Sequence, residues 1–226
     1  KKKRFAMIGA CPVVCVLLVG IAVLAARNSG SSTTGGETDV VTNNDTMTSV
    51  ISSPVIDLDE TLTYYADIEI AEYGTITVQL DQEAAPVTTA NFVNLAQNGF
   101  YDGLTFHRII EGFMMQGGDP NGDGSGGSED CIVGEFSENG YENSLSHTRG
   151  AISMAHADDY DSASSQFFIV QEDSTYLDGQ YAVFGYVTEG LEVVDAVCEA
   201  AEPTDNNGTI EAEAQPVITS ITIRTE

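Results

Sequence analysis

Arg108 is the residue whose surroundings most need an explanation. It lies in an apolar stretch, residues 106–110, in a part of the chain where basic residues are scarce. After Arg27, the only other cations are Arg149 and Arg224. A lone arginine in such a stretch is either half of a structural ion pair or a functional group. Composition alone does not decide between these two interpretations.

Apolar and uncharged side chains follow Arg108 at several points of the sequence. Taken singly, each apolar residue of this kind is more often part of a core than of a binding site. One guanidinium with an amide and several aromatic or methionine side chains would, however, suit an apolar, uncharged ligand that carries one carbonyl group. These residues are Phe113, Met114, Met115, Gln116, Gln166, Phe167, Phe168, Tyr176, Leu177 and Tyr181.

The charge distribution excludes one class of partner. The net charge is −27, five of the eight Lys and Arg residues precede residue 28, and all 35 acidic residues follow it. Binding to a phosphate backbone needs clustered Lys and Arg that displace counterions. We therefore expect no nucleic-acid partner and a bias toward basic or neutral peptides.

Residues 5–26 form an uncharged, mostly apolar run that is long enough to span a bilayer core of about 30 Å. The four cations before it predict a cytoplasmic N-terminus and an acidic remainder outside the membrane. The alternative is a cleaved signal peptide with a small-residue site at 23–25, and the protein would then be secreted. We favour a single-pass anchor over residues 1–27, since the run exceeds the usual ~7–15-residue apolar core of a signal peptide.

Two further regions follow. Residues 28–61 are rich in Ser, Thr, Gly, Asn and Asp, which predicts a flexible linker. From residue 62 the texture changes: residues 65–70 and 75–80 alternate apolar and polar side chains on either side of a turn, which predicts a β-hairpin.

The rest of residues 62–226 reads as one mainly β domain. Pro86 is typical of a helix start, Asn98-Gly99 of a helix end, and a second helix fits residues 191–198. Many short strands with glycine-rich turns and two helices predict a β-barrel-like domain. The strands are predicted at 105–110, 113–116, 151–155, 167–170, 183–187 and 218–224.

Three blocks of this domain resemble the cyclophilins. Residues 100–120, FYDGLTFHRIIEGFMMQGGDP, are similar to the signature stretch of that family. Residues 153–155 with 164–169, and then residues 176–185, agree in order and spacing. The resemblance covers residues 62–226 and is strongest to bacterial members. It implies a closed, antiparallel, eight-stranded β-barrel capped by two helices, and a peptidyl-prolyl cis/trans isomerase that needs no cofactor and no metal.

The resemblance also assigns site residues. It places the catalytic arginine at Arg108 and the amide that orients the substrate at Gln116. The residues that it places around the substrate are Phe113, Met114, Phe168 and Leu177 in the proline pocket, and Ala155, His156, Gln166, Tyr176 and Tyr181 along the groove.

Three positions depart from the family pattern. His156 replaces a common Asn, and Tyr181 stands where many members have His, a change familiar among bacterial relatives. Tyr176 stands where many have Trp, which puts tight cyclosporin binding in doubt. The arginine and the pocket are retained, so we expect activity.

The sequence supports a metal site less well than it supports the isomerase site. Residues 119–130 begin like an EF-hand calcium loop, but Asp130 occupies the position where Glu is expected, and helices should flank the loop. His107, His147 and His156 are too scattered to indicate a metal site. His107 should face away from Arg108 on an alternating strand, as a core histidine does.

The expected partners are proline-containing exported polypeptides, and nothing in the sequence predicts more than a monomer. Two other classes of function compete with the isomerase: a proline-peptide binding module with negligible turnover, and a general holdase. The retained Arg108 argues against the binding module, because binding a proline ring does not require a cation. A holdase would bind apolar segments without dependence on proline.

Overall fold

The computed structural model describes residues 50–226. The predicted anchor, residues 1–27, and residues 28–49 of the predicted linker lie outside the described residues. Between residues 50 and 226, no helix has the length and apolar character that crossing a membrane requires.

The described residues form ten strands, of which eight build one antiparallel sheet in the order β10-β2-β3-β9-β7-β8-β5-β4. The predicted hairpin is β2 and β3, paired from Tyr64–Leu80 to Ile70–Gly74. In chain order the strands are β1 (Val50–Ile51), β2 (Tyr64–Ile70), β3 (Gly74–Leu80), β4 (Thr105–Ile110), β5 (Met114–Asp119), β6 (Cys131–Ile132), β7 (Ala151–Met154), β8 (Phe167–Val170), β9 (Val183–Glu189) and β10 (Ile218–Thr225).

The sheet curls until its edge strands, β4 and β10, approach each other. They are joined over a short stretch, by a bridge between Thr105 and Val217 and by a hydrogen bond from the Phe106 amide to the Pro216 carbonyl, 2.9 Å. The prediction of a fully closed barrel is therefore too strong, and the sheet is a curled half-barrel. The pairing of β4 with β5 and that of β10 with β2 both contain register shifts, which are typical of strands that bend at a sheet edge.

Both predicted helices are present, as α1 (Pro86–Gln97) and α2 (Leu191–Ala200). They cover the sheet and contribute buried side chains to its inner core. Phe92 of α1 lies at the centre of an aromatic group, with its ring centroid 5.2 Å from that of Tyr101 and 5.5 Å from that of Phe167. Short 3-10 turns lie at Ser137–Asn139, Thr175–Leu177 and Ala212–Ala214.

The C-terminal end of the predicted linker belongs to the folded unit. Strand β1 pairs in parallel with β6, and the Val133 amide donates to the Ile51 carbonyl, 2.9 Å. The side chains of Ile51, Ile56 and Leu58 pack against the inner core. A two-residue strand is too short to show a period of two, so the sequence pattern could not reveal it.

Cys198 is a free, buried thiol in α2, so no disulfide joins it to Cys131. Burial is the main cause that raises the pKa of Cys198 to about 12, and the neighbouring Asp195 and Glu111 add to it. A thiol in this state is a poor nucleophile at neutral pH.

The first turn of α1 depends on a side chain that is distant in sequence. The first amides of a helix lack partners within the helix, and the residue before α1, Ala85, has no side-chain acceptor. The buried carboxylate of Glu135 accepts hydrogen bonds from the amides of Val87, 3.0 Å, and Thr88, 2.7 Å. A negative charge at this position also complements the helix dipole.

We expect Glu135→Gln to lower the free energy of unfolding by about 1–2 kcal/mol, because it removes the charge and one of the two acceptors. Urea unfolding near neutral pH measures this change. The matched control is Thr88→Val in the same helix turn, since the buried Thr88 hydroxyl has no hydrogen-bond partner in the structure. Thr88→Val should leave stability unchanged or raise it. Equal losses from both variants would contradict the capping role.

Candidate active site

Strand register places four side chains of the site in one row. Arg108 of β4 pairs with Gln116 of β5, Gln116 with Phe168 of β8, and Phe168 with Ser153 of β7. Directly opposed residues of neighbouring strands project from the same face of a sheet. The adjacent residues Met115, Ile152 and Ile169 belong to the inner core, so this row lies on the opposite face.

Phe168 of this row belongs to a second apolar cluster, which we call the pocket cluster. It brings together five residues that the sequence assigned to the substrate, Phe113, Met114, Ala155, Phe168 and Leu177, and Tyr181 packs against them. Its other buried members are Ala151, Val170 and Val183.

Tyr176 lies at the rim of this cluster. Its side chain is 59% exposed, and its ring centroid is 6.1 Å from that of Phe113. The next residue, Leu177, is buried. The turn that carries both residues therefore presents one side chain to solvent and one to the cluster.

Arg108 is buried, with only 8% of its surface exposed, and two hydrogen bonds hold its guanidinium. Its Nη1 donates to Oε1 of Gln116, 3.2 Å, and its Nε donates to the carbonyl of Asn207, 2.6 Å. These two contacts fix the plane of the guanidinium. Residue types do not predict the contribution of Asn207, because it is made by a backbone carbonyl, which every residue has.

The turn at Asn207 is shaped by its own residues. The Asp205 carboxylate accepts hydrogen bonds from the amides of Asn207, 2.9 Å, and Thr209, 3.1 Å. Gly208 has φ of +85°, and a Cβ there would lie 2.6 Å from the Ile109 carbonyl oxygen. Only glycine fits this approach, and the pair Asn207-Gly208 is the signal in the sequence that predicts a turn here.

Two glutamine amides extend the contacts of Arg108. Gln116 Nε2 donates to Oε1 of Gln166, 2.9 Å, and Gln166 Nε2 donates to the carbonyls of Gly124, 3.1 Å, and Gly126, 2.7 Å. Two carbonyl oxygens accept only from the NH2 end of an amide. The loop therefore fixes the orientation of Gln166, which fixes that of Gln116, and Gln116 presents its oxygen to Arg108.

Asp119 organises the loop that supplies those carbonyls. Its buried carboxylate accepts hydrogen bonds from the amides of Asn121, 2.8 Å, Asp123, 3.1 Å, and Gly124, 2.6 Å. The acidic pattern that resembles a calcium loop thus supports a backbone turn. Across residues 50–226, no group of three or more His, Cys, Asp or Glu is arranged to hold a metal ion.

His156 links two segments of the groove. Its ring stacks between those of Phe136, at 5.3 Å, and Tyr181, at 4.5 Å. Its two nitrogens lie 2.6 Å from the Ala157 carbonyl and 2.8 Å from the Gln180 carbonyl. His156, which replaces the asparagine common in the family, therefore joins residues 155–157 to residues 180–181.

His107 is a buried histidine beneath the loop of Asp119, where a Cβ on Gly124 would lie 3.7 Å from its Nε2. Neither ring nitrogen has a hydrogen-bond partner in the structure. Burial is the main cause that lowers the pKa of His107; Asp119 and Asp123 oppose the shift, and Arg108 adds to it. These features agree with the interpretation of His107 as a core histidine.

The family model described as "Cyclophilin type peptidyl-prolyl cis-trans isomerase/CLD" matches residues 65–223. The chain belongs to the cyclophilin family. It is a peptidyl-prolyl cis-trans isomerase, and the curled eight-stranded sheet with two helices is the cyclophilin fold.

Named relatives agree with this assignment. The chain is 53% identical to "Peptidyl-prolyl cis-trans isomerase B" of Bacillus subtilis (strain 168) over 117 residues, which are 52% of this chain and 78% of that protein. It is 47% identical to a Helicobacter pylori (strain J99) "Peptidyl-prolyl cis-trans isomerase" over 137 residues, 60% of this chain and 81% of that one.

Solved cyclophilin structures from Cryptosporidium parvum have the same fold. One matches with a TM-score of 0.64 at 29% identity and covers 73% of this chain and 99% of its own. A second, determined in the presence of the dipeptide Ala-Pro, has a TM-score of 0.63 at 29% identity and covers 72% and 99%.

We expect His107→Leu to reduce the loss of stability in acid. Because the folded-state pKa of His107 lies below the ordinary value of about 6.5, the unfolded chain takes up the proton first, and stability falls as the pH drops through that value. Urea unfolding between about pH 7.5 and pH 5 should give a shallower pH slope for the variant. The pKa of His147 is also lowered by burial, so the variant should still lose some stability at acid pH. An unchanged slope would contradict this account of His107.

Proposed function

We propose that this isomerase accelerates X-Pro bond rotation in exported polypeptides, with Arg108 stabilising the twisted amide and the pocket cluster holding the proline ring. The supporting observation is the placement of Arg108. Its guanidinium is buried and oriented by Asn207 and Gln116, in a row that ends among the apolar side chains of the cluster.

The reaction calls for this combination. The C–N bond of an X-Pro amide has partial double-bond character, and its rotation barrier is about 18–20 kcal/mol. Uncatalysed exchange takes on the order of tens to hundreds of seconds. In the twisted state the proline nitrogen gains a localised lone pair. A guanidinium near that nitrogen stabilises the twisted amide more than the planar one, and this difference lowers the barrier.

The pocket cluster suits the pyrrolidine ring. Phe113, Met114, Phe168 and Leu177 are buried apolar side chains on the same sheet face as Arg108. They would grip the ring by apolar contact while the other side of the bond turns. A Cryptosporidium cyclophilin structure was determined in the presence of the dipeptide Ala-Pro, which is consistent with such a substrate.

Gln116 would act on both the arginine and the substrate. Its Oε1 accepts from Arg108, and one Nε2 hydrogen is donated to Gln166. An amide nitrogen carries two hydrogens, so the second can be donated to a carbonyl oxygen of the peptide. Gln166, Ala155, His156, Tyr176 and Tyr181 would line the groove beside it.

We expect Arg108→Ala to lower kcat/KM for a short X-Pro peptide by on the order of 100-fold, the usual effect of removing one group that stabilises developing charge. A cis/trans exchange assay on the full chain measures it. Arg108→Lys should recover only part of the loss, because lysine keeps the charge without the planar fork.

The matched control for Arg108→Ala is Arg224→Ala. Arg224 of β10 pairs with Asp67 and Glu226 and is not among the residues assigned to the site, so this variant should retain wild-type turnover. Turnover that does not change in Arg108→Ala would remove the arginine from the mechanism. Slow exchange in the wild type, with the peptide still bound, would favour a proline-peptide binding module instead.

The proposed location is the outer side of a cell membrane. Residues 1–27 would be a single-pass anchor, residues 28–61 would carry a linker, and residues 62–226 would form the isomerase domain. The support is the apolar run over residues 5–26, the four cations before it and the acidic chain after it. The enzyme would act as a monomer, since nothing in the sequence predicts a further subunit.

We expect the full chain to remain in the membrane fraction after alkaline washing, and its folded domain to be cleaved by protease added outside intact spheroplasts. Deleting residues 5–26 should move the protein into the soluble cytoplasmic fraction, which serves as the matched control. A shortened protein released outside the cell would favour a cleaved signal peptide. A full-length, protease-protected protein would contradict the extracytoplasmic location.

A further inference from the structure

His147 lies behind the pocket cluster and is fully buried. Its ring stacks on that of Phe168, with centroids 5.9 Å apart and planes at 13°, and meets the Tyr181 ring edge-on at 6.3 Å. Its Nδ1 lies 2.8 Å from an Asp178 carboxylate oxygen, and its Nε2 lies 3.0 Å from the Ser153 hydroxyl. The ring is therefore held at both nitrogens.

The Asp178 end of this contact fastens one wall of the pocket. The Asp178 carboxylate also accepts hydrogen bonds from the backbone amide of His147, 2.7 Å, and from the Ser146 hydroxyl, 2.6 Å. Asp178 directly follows Leu177, whose side chain belongs to the pocket cluster. Any movement of this turn away from Phe168 would break these bonds.

The Ser153 end fastens the opposite wall. Ser153 of β7 is the register partner of Phe168 of β8, so both side chains lie on the same face of the sheet. The His147 ring thus connects the wall formed by Leu177 to the wall formed by Phe168.

The chemistry of the two partners fixes the protonation state of the ring. A carboxylate only accepts hydrogen bonds, so Asp178 selects the tautomer with the proton on Nδ1, and Nε2 accepts the Ser153 hydroxyl proton. Burial is the main cause that lowers the pKa of His147, and the hydrogen bond to Asp178 opposes it. Protonation of Nε2 would turn the buried Ser153 hydroxyl away from its acceptor, at a desolvation penalty.

We propose that His147 is a positioning residue of the isomerase: in its neutral form it holds the Leu177 and Phe168 walls at the separation that grips proline, without touching the substrate. This inference rests on the pocket assigned under the proposed function. Among the described residues, the titratable groups that face the ring are Asp178, from the 175–177 turn, and Tyr181, from the segment before β9.

The test compares two substitutions of His147 in the full chain. His147→Phe keeps the stack on Phe168 but loses both hydrogen bonds, so KM should rise about tenfold, the equivalent of one net hydrogen bond, while kcat changes little. His147→Gln offers an NH2 to Asp178 and an oxygen to Ser153, so it should restore a KM close to that of the wild type.

The pH profile provides a readout that a purely structural role would not change. In the wild type, KM should rise at a pH below the ordinary histidine value of about 6.5, because burial lowers the pKa of His147 in the folded enzyme. His147→Gln cannot titrate and should lose this part of the rise. Should His147→Phe fail to fold, as judged by circular dichroism, the His147→Gln profile still decides. Identical wild-type and His147→Gln profiles overturn the proposal.

Arg108→Ala, measured in parallel, separates this inference from the proposed function. If kcat falls in Arg108→Ala while KM is the same in the wild type and in His147→Phe, only the role of His147 is wrong. If Arg108→Ala turns over at the wild-type rate, the catalytic assignment is wrong. A raised KM in His147→Phe would then still support the positioning of the pocket.

Discussion

The hydrogen-bonded register of four neighbouring strands is the constraint on which the site depends. Because the side chains of a strand alternate between its two faces, the register that buries Met115, Ile152 and Ile169 in the inner core must place Gln116, Ser153 and Phe168 on the other face. A shift of one residue in β5 would turn Gln116 toward the inner core and Met115 toward the site. Core packing and the placement of the site are therefore the same requirement.

The orientation of Arg108 depends on a series of hydrogen-bonded amide groups, each of which fixes the orientation of the next. The Gly124 and Gly126 carbonyls determine which end of the Gln166 amide faces them, and each amide then determines the next one. A neutral relay of this kind presents an amide oxygen to the guanidinium from position 116. A carboxylate there would form an ion pair and reduce the positive potential that the twisted amide is proposed to need.

The features that could be predicted from residue types are those that depend on side-chain patterns. The alternation over residues 65–70 and 75–80 predicted the hairpin, Pro86 marked the start of α1, and Arg108 stood out because cations are scarce after Arg27. The substrate-binding residues came from the resemblance, and the fold brings five of them into one cluster.

Contacts made by the backbone, or across long sequence distances, were not predictable in this way. The carbonyls of Asn207 and Gly126 act through atoms that every residue has. The acidic residues around Asp119 looked like cation ligands, whereas Asp119 binds amides. His147 gave no signal of its own, because its partners become neighbours only after the sheet has formed.

The position of β10 has a consequence for how the molecule folds during synthesis. Strand β2 lies between β3 and β10, and β10 is the last of the ten described strands in chain order. A chain that leaves a ribosome or a translocation channel with its N-terminus first must therefore keep one edge of β2 unpaired until β10 has emerged. Pairing between the two ends of a domain carries a large loop-closure entropy, so completion of the sheet should be a late and cooperative step.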